Sequence, residues 1–292
     1  MNLWFIIIFK HTFQQSKLYT SLSQEHKMLL ELNKYKLIVI KKKVMRTLVI
    51  GDIHGNLDAL NDSLQKSNFN IETDRIICIG DYVDGWGDSF EVVRTLLEIK
   101  SQSKLENIFL LGNHDKWFLD ILENDFENFR NENYIKSKYS DWYIQGGKST
   151  YESYLKYDDE FIKIHKEDFF DELKYYYEDN NKLYIHAGFD LKLGFTETVK
   201  QKKEDLLWNR SLHYESLQLW HKDNILESQN HPTKRSRIEK YDKIYIGHTP
   251  TTVNGFNEPK YMANVINVDQ GCKRKGILTI WVDETDEFYQ NK

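Results

Sequence analysis

The sequence predicts an α/β protein whose strand ends converge on a metal site. Three observations carry this. Hydrophobic residues make up 40% and charged residues 29% of 292 positions, enough apolar material for a packed core. Five short apolar runs, rich in β-branched residues, each stop at a polar residue able to bind a metal. Between the first three lie stretches whose apolar residues recur at helical spacing. Strand alternating with helix implies βαβ units and a parallel sheet. Ligands of such sheets collect beyond the carboxyl ends of the strands.

The first predicted strand, 47–50, precedes Gly51-Asp52, and a helix over 56–67 follows with Leu57, Leu60 and Leu64 on one face. The second strand, 76–79, leads into Gly80-Asp81, and a helix over 89–100 presents Val92, Val93, Leu96 and Leu97. The third, 108–111, runs into Gly112-Asn113. Residues 124–181, rich in Tyr, Phe, Glu and Lys, read as a mostly helical insert whose aromatics pack a small core. Strands at 183–185 and 244–246 deliver His186 and His248, and two more are expected at 265–269 and 277–282.

Charge is uneven. Residues 1–44 hold eight lysines and two glutamates, a net of +6, which leaves −11 for the remainder of a chain of net −5. An acidic body repels nucleic-acid backbones, so no nucleic-acid partner is expected. The apolar run 3–9 is far below the roughly 20 residues that span a bilayer, and its flanks fit a signal peptide poorly. No membrane partner is expected, and the compartment is read as cytoplasmic. Residues 1–44 are read as an N-terminal extension, either a helical tail or a stretch ahead of a start at Met45, with one domain over 45–292. Two cysteines, Cys78 and Cys272, exclude a disulfide scaffold and a cysteine zinc site.

The strand ends carry the chemistry. Residues i and i+2 of an extended segment share a face, so Asp52 and His54 can grip one metal. Asp81 stands where a carboxylate could bridge two cations, with Asp84 free to orient another side chain. Asn113 can face a metal while His114 faces a substrate, and His186 and His248 add imidazoles. Mixed oxygen and nitrogen donors suit Mn, Fe, Zn or Co. Six protein ligands with one bridging carboxylate make two divalent ions the natural count.

The series GDIHG, GDYVDG, GNHD, HAG and GHT resembles the calcineurin-like metallophosphoesterases of the phosphoprotein-phosphatase type, over residues 46 to about 283. Leu207-Trp208-Asn209-Arg210 and Val268-Asp269-Gln270-Gly271 are similar to the bacterial and phage-lambda-type serine/threonine protein phosphatase branch, related to symmetrical diadenosine tetraphosphate hydrolases. The resemblance implies a four-layer α/β/β/α sandwich. It implies Asp52, His54 and Asp81 on one metal, and Asp81, Asn113, His186 and His248 on the second, manganese being the first choice. It makes His114 the acid that protonates the leaving oxygen, oriented by Asp84, and Arg210 a phosphate clamp. Asn113 and His114 would also face substrate. The expected substrate is a phosphoserine or phosphothreonine protein, or alternatively diadenosine tetraphosphate or another small phosphate ester. A non-catalytic scaffold has no need of six ligands.

Two departures stand out. Where the family reads GDxVDRG, this chain has Gly85, so a phosphate-binding arginine is absent; Lys148, Arg235, Arg237 and the basic run 273–275 are candidate substitutes. Gln270 stands where the family usually has threonine. His165, His213, His221 and His231 are expected at the surface or in caps.

Overall fold

The computed structural model describes residues 45–228 and 236–292. The expected extension 1–44, Arg235 and His231 lie outside them. Two five-stranded sheets form the centre. In the first, β1 (Arg46–Ile50), β2 (Asp74–Cys78) and β3 (Ile108–Phe109) are parallel. Antiparallel β9 (Thr279–Val282) and β10 (Glu287–Gln290) extend it beyond β1. In the second, β5 (Lys182–Ile185), β6 (Lys243–Ile246) and β8 (Val265–Asn267) are parallel. Its edges are antiparallel β4 (Tyr176–Asp179) and β7 (Lys260–Met262).

Period-two alternation sorts these strands into layers. Leu48, Ile50, Ile76 and Cys78 join one core with the helices of the first face. Val49, Ile77, Tyr184, Tyr245 and Ile266 point the other way and pack together between the sheets. Leu183, Ile185, Ile244 and Ile246 form a third core on the far face. Each such fully buried aliphatic contributes about 1.5–3 kcal/mol. The four-layer sandwich is therefore present, with two mixed sheets in place of one parallel sheet.

Helix α1 (Leu57–Lys66) follows β1, its Asn56 side chain accepting from the Ala59 amide at 3.0 Å as an N-cap. Helix α2 (Ser89–Gln102) follows β2, and α3 (Asn113–Asn124) follows β3. The insert holds α4 (Glu132–Lys138), α5 (Lys148–Tyr154) and α6 (Asp159–Asp168), but ends in β4, so it is not wholly helical. Its aromatics do not form a separate small core. Phe129, Trp142, Tyr151 and Tyr154 are continuous with the cluster on the first sheet's helical face. Helices α7 (Phe195–Gln201), α8 (Asp205–Trp208) and α9 (Ser211–Ser228) follow β5, and the short α10 (Cys272–Lys275) follows β8. Among the described residues no helix is long and apolar enough to cross a membrane.

Two histidine expectations are corrected. His165 is buried, bonded to the Tyr154 hydroxyl at 3.1 Å and stacked on Phe90, and burial pushes its pKa down to about 4. His213 is also buried, between Asn254 and Asn267. Both are satisfied interior polar groups, whereas His221 is exposed as expected. Asn267 also donates to the Thr249 carbonyl and accepts from the Asp269 amide, tying the loops after β6 and β8.

Candidate dimetal site

The site lies beyond the carboxyl ends of the parallel strands of both sheets. Asp52 and His54 follow β1, Asp81 and Asp84 follow β2, and Asn113 to Asp115 follow β3. His186 follows β5 and His248 follows β6. The segments are turns rather than extended chain. His54, Asp81, Asp84 and His248 all have left-handed φ, at 54°, 56°, 69° and 62°. Such non-glycine conformations persist only where the surroundings over-determine them. The pairing of Asp52 with His54 thus comes from a turn and not from strand alternation. Asn113 and His114 are likewise the first residues of α3, and the helical rotation separates their side chains.

Backbone bonds lock the turns together. The amides of Ile53 and His54 donate to the Asp81 carbonyl at 3.0 and 2.9 Å. Fully buried Asp115 accepts from the amides of Asp81 (2.7 Å), Tyr82 (2.8 Å) and Gly112 (2.9 Å). Glycine at 112 is required, because a Cβ there would collide with the Asp81 carboxylate.

Asp81 Oδ2 sits 3.5 Å from both His54 Nε2 and His186 Nε2. Asp52 Oδ2 is 3.9 Å from His54 Nε2, and Asn113 Oδ1 is 3.1 Å from His186 Nε2. His54 Nδ1 meets the carbonyls of Val83 and Asp84, and His186 Nδ1 meets that of Ile79. With Nδ1–H donated to backbone, each Nε2 keeps a lone pair for a metal. His248 Nε2 is buried without a hydrogen-bond partner among the described residues. Ligand atoms of His54, Asp81 and His114 form one compact triad, and those of Asp81, His186 and His248 a second.

Electrostatics agree with this geometry. Burial pushes His54 down to about 3 and His248 to about 2, keeping both imidazoles neutral donors. Burial would raise Asp81, but His186, His114, His54 and His248 hold it well below the usual carboxylate range. Burial and then the neighbouring carboxylates Asp269 and Asp81 raise Asp52. Burial also raises Asp115, and pushes Asp269 up to about 7. A buried set of carboxylates with neutral imidazoles and one orphaned nitrogen fits two divalent cations.

The other predicted residues are close by. Asp84 Oδ2 is 2.7 Å from His114 Nδ1. Arg210 donates from Nη1 to the His248 carbonyl at 3.1 Å and to Thr249 Oγ1 at 2.7 Å, so it is held on the ligand-bearing turn. Of the candidate substitutes for the missing arginine, exposed Lys148 pairs with Glu152, and Arg237 pairs with Asp242. Lys273 alone among the described candidates reaches in, its Nζ 2.8 Å from His114 Nε2. Gln270 is buried, bonding Thr279 and Thr251, so it knits β9 to the loop after β6. Cys272 is buried too, its thiol donating to the Ile53 carbonyl.

Sequence reasoning missed three contributors. Thr150 of α5 accepts from the Asp84 amide at 2.8 Å and donates to Asp84 Oδ1 at 2.7 Å. Ser149 accepts from the Gly85 amide. Trp117 stands edge-on to His114 and 5.0 Å from Trp208, which is 41% exposed and itself edge-on to His248. Nothing in the local pattern around Ser149 or Thr150 signals a site.

Fold and triads together define a metal-dependent hydrolase. Residues 45–266 match the model of the Calcineurin-like phosphoesterase family, and the chain belongs to that family. A dimetal-binding phosphoesterase active site is therefore present. The chain is 26% identical over 239 residues to "Serine/threonine-protein phosphatase 2" of Salmonella typhimurium, covering 80% of this chain and 90% of that protein. It is 36% identical over 92 residues to a symmetrical bis(5'-nucleosyl)-tetraphosphatase of Buchnera aphidicola, covering 30% of this chain and 32% of the relative. A crystal structure assigned as a diadenosine tetraphosphatase aligns at TM-score 0.53 and 16% identity, covering 85% of this chain and 94% of that one. That likeness speaks to the fold alone.

Proposed function

We propose that this protein is a manganese-dependent serine/threonine protein phosphatase, with residues 45–292 as the unit that acts. The observation that carries this reading is the similarity to Serine/threonine-protein phosphatase 2, which extends over 90% of that protein, whereas the tetraphosphatase similarity above covers 32% of its relative. Asp52, His54 and Asp81 hold one ion, and Asp81, Asn113, His186 and His248 hold the second. Bound divalent ions supply an activated water and neutralise phosphoryl oxygens.

His114 is assigned as the general acid rather than a ligand. Its Nδ1 is committed to Asp84, so the ring is oriented by a carboxylate. Thr150 and Asp84 hold that ring in place. Arg210 keeps the rest of its guanidinium for phosphate while Nη1 anchors on the His248 turn.

A second reading, hydrolysis of a dinucleoside polyphosphate, is favoured by the Trp117–Trp208 pair. Two indoles beside His114 and His248 offer a stacking face for a base. A turnover panel with manganese, comparing a phosphoserine peptide, diadenosine tetraphosphate and p-nitrophenyl phosphate, separates the two. The higher kcat/KM is expected on the peptide; faster tetraphosphate hydrolysis overturns the first reading in favour of the second.

A further inference from the structure

Lys273 is the first side chain of α10 after Cys272, and its path into the site is built by other residues. A Cβ at Gly85 would lie 3.2 Å from Lys273 Cγ, and one at Gly146 would lie 3.3 Å from Lys273 Cε. Those glycines have φ of 141° and 115°, which side-chain-bearing residues rarely adopt. Two glycines from separate segments thus leave the groove that the lysine stem fills. The segment after Gly85 is fastened to the same helix. Trp86 Nε1 donates to the Cys272 carbonyl at 2.9 Å, and the Trp86 ring borders Gly276, where α10 ends.

At the end of this groove the ammonium meets His114 Nε2 at 2.8 Å and makes no ion pair with a carboxylate among the described residues. It carries three donors, and one of them finds an acceptor among the described residues. Burial, helped by the nearby Arg274, lowers its pKa below the ordinary lysine value against the support of Asp81, Asp84 and Asp52. Its neighbours Arg274 and Lys275 are exposed. A half-buried cation with spare donors, converging with an imidazole on one point beside two metal clusters, lacks only an anion.

We propose that Lys273 is a substrate-binding residue whose ammonium holds a phosphoryl oxygen at the point it shares with His114. The inference rests on the phosphoesterase reading and names which residue of this chain supplies a phosphate contact near Gly85. The group bound is any phosphoryl oxygen, whether of an ester substrate or of product phosphate.

The test uses the full manganese-loaded chain and three variants: Lys273→Met, which keeps the stem on the glycines, Lys273→Arg, and exposed Lys275→Gln. Inorganic phosphate binding is read by calorimetry, together with bound metal and kcat/KM on p-nitrophenyl phosphate. Expected are a roughly tenfold or greater weakening of phosphate binding and a 10- to 100-fold loss of kcat/KM for Lys273→Met. Metal content should be unchanged, Lys273→Arg should recover most of both, and Lys275→Gln should behave as the parent. Phosphate affinity within twofold of the parent for Lys273→Met overturns the proposal. So does equal loss in the methionine and arginine variants, which would mark a packing role. Absence of turnover in the parent would instead overturn the phosphoesterase reading, and phosphate calorimetry would still decide the role of Lys273.

Discussion

The two ends of the sandwich solve one problem differently. At the carboxyl end of the parallel strands, Asp81 is ringed by imidazoles and carboxylates. At the opposite end, buried Asp283 sits just beyond β9 among the protein's own donors. It bonds Lys182, Lys243 and the Tyr245 hydroxyl (2.6 Å), and so joins the first sheet to the start of the second. Lys243 also reaches the Asp283 carbonyl at 2.7 Å. One carboxylate is closed by lysines that the fold carries with it. The other is left for cations that come from solution. A buried charge must be compensated in either case, and the difference separates a structural joint from a reactive centre.

The comparison breaks most sharply at Asp81. Asp81→Asn should remove metal and activity together, with loss beyond the 10–100-fold typical of outer residues; metal analysis beside aryl-phosphate turnover checks it. Full activity with unchanged metal would sink the shared-ligand assignment. Next in size is His114→Asn, expected to reduce phosphoserine hydrolysis about 10²–10⁴-fold and p-nitrophenyl phosphate hydrolysis much less. An equal loss on both substrates would point to a binding role.

At the closed end, Asp283→Asn should leave kcat untouched and lower stability by about 2 kcal/mol, less than for a fully buried pair because the lysines are partly exposed. Denaturant unfolding measures this. The pH sign follows from the shift. Burial would raise the Asp283 pKa, but Lys182 and then Tyr245 and Lys243 hold it below its ordinary value. Its contribution is therefore complete above the unfolded carboxylate range near 4 and fades as pH falls further through the folded pKa. Parent and variant stabilities should converge in acid; a constant gap down to pH 2 would refute the charge account. The smallest effect is expected at Thr150→Val, on the order of tenfold in kcat with KM little changed, because the ring of His114 loses its indirect support. Thr150→Ser should restore it, and a kcat within twofold of the parent for the valine variant would deny Thr150 that role.

Why the open end was legible and its support was not follows from chain separation. Asp52, Asp81, Asn113, His186 and His248 each follow a short apolar strand within four residues, so local pattern marks them. Thr150 reaches Asp84 across 66 positions, and Lys273 reaches His114 across 159. No periodicity encodes those contacts. The prediction of four layers held because alternation in β1, β2, β5 and β6 sends alternate residues to different cores. The expected mostly helical insert is present, and it ends in Tyr176–Asp179, an edge strand with only intermediate or exposed positions. His165 and His213 were misread because a lone histidine carries no sign of whether an interior partner such as Tyr154 or Asn254 awaits it.

The proposed ligands are divided between the sheets: Asp52, His54, Asp81 and Asn113 ride on the first, His186 and His248 on the second. An ion that spans both acts on the folding equilibrium by mass action. If it binds only the assembled pair of sheets, free metal at a hundred times its dissociation constant adds about 2.7 kcal/mol to their association. The melting temperature then becomes a reading of metal concentration, and chelation loosens the seam between the sheets at the open end while the lysine-closed end stays fastened.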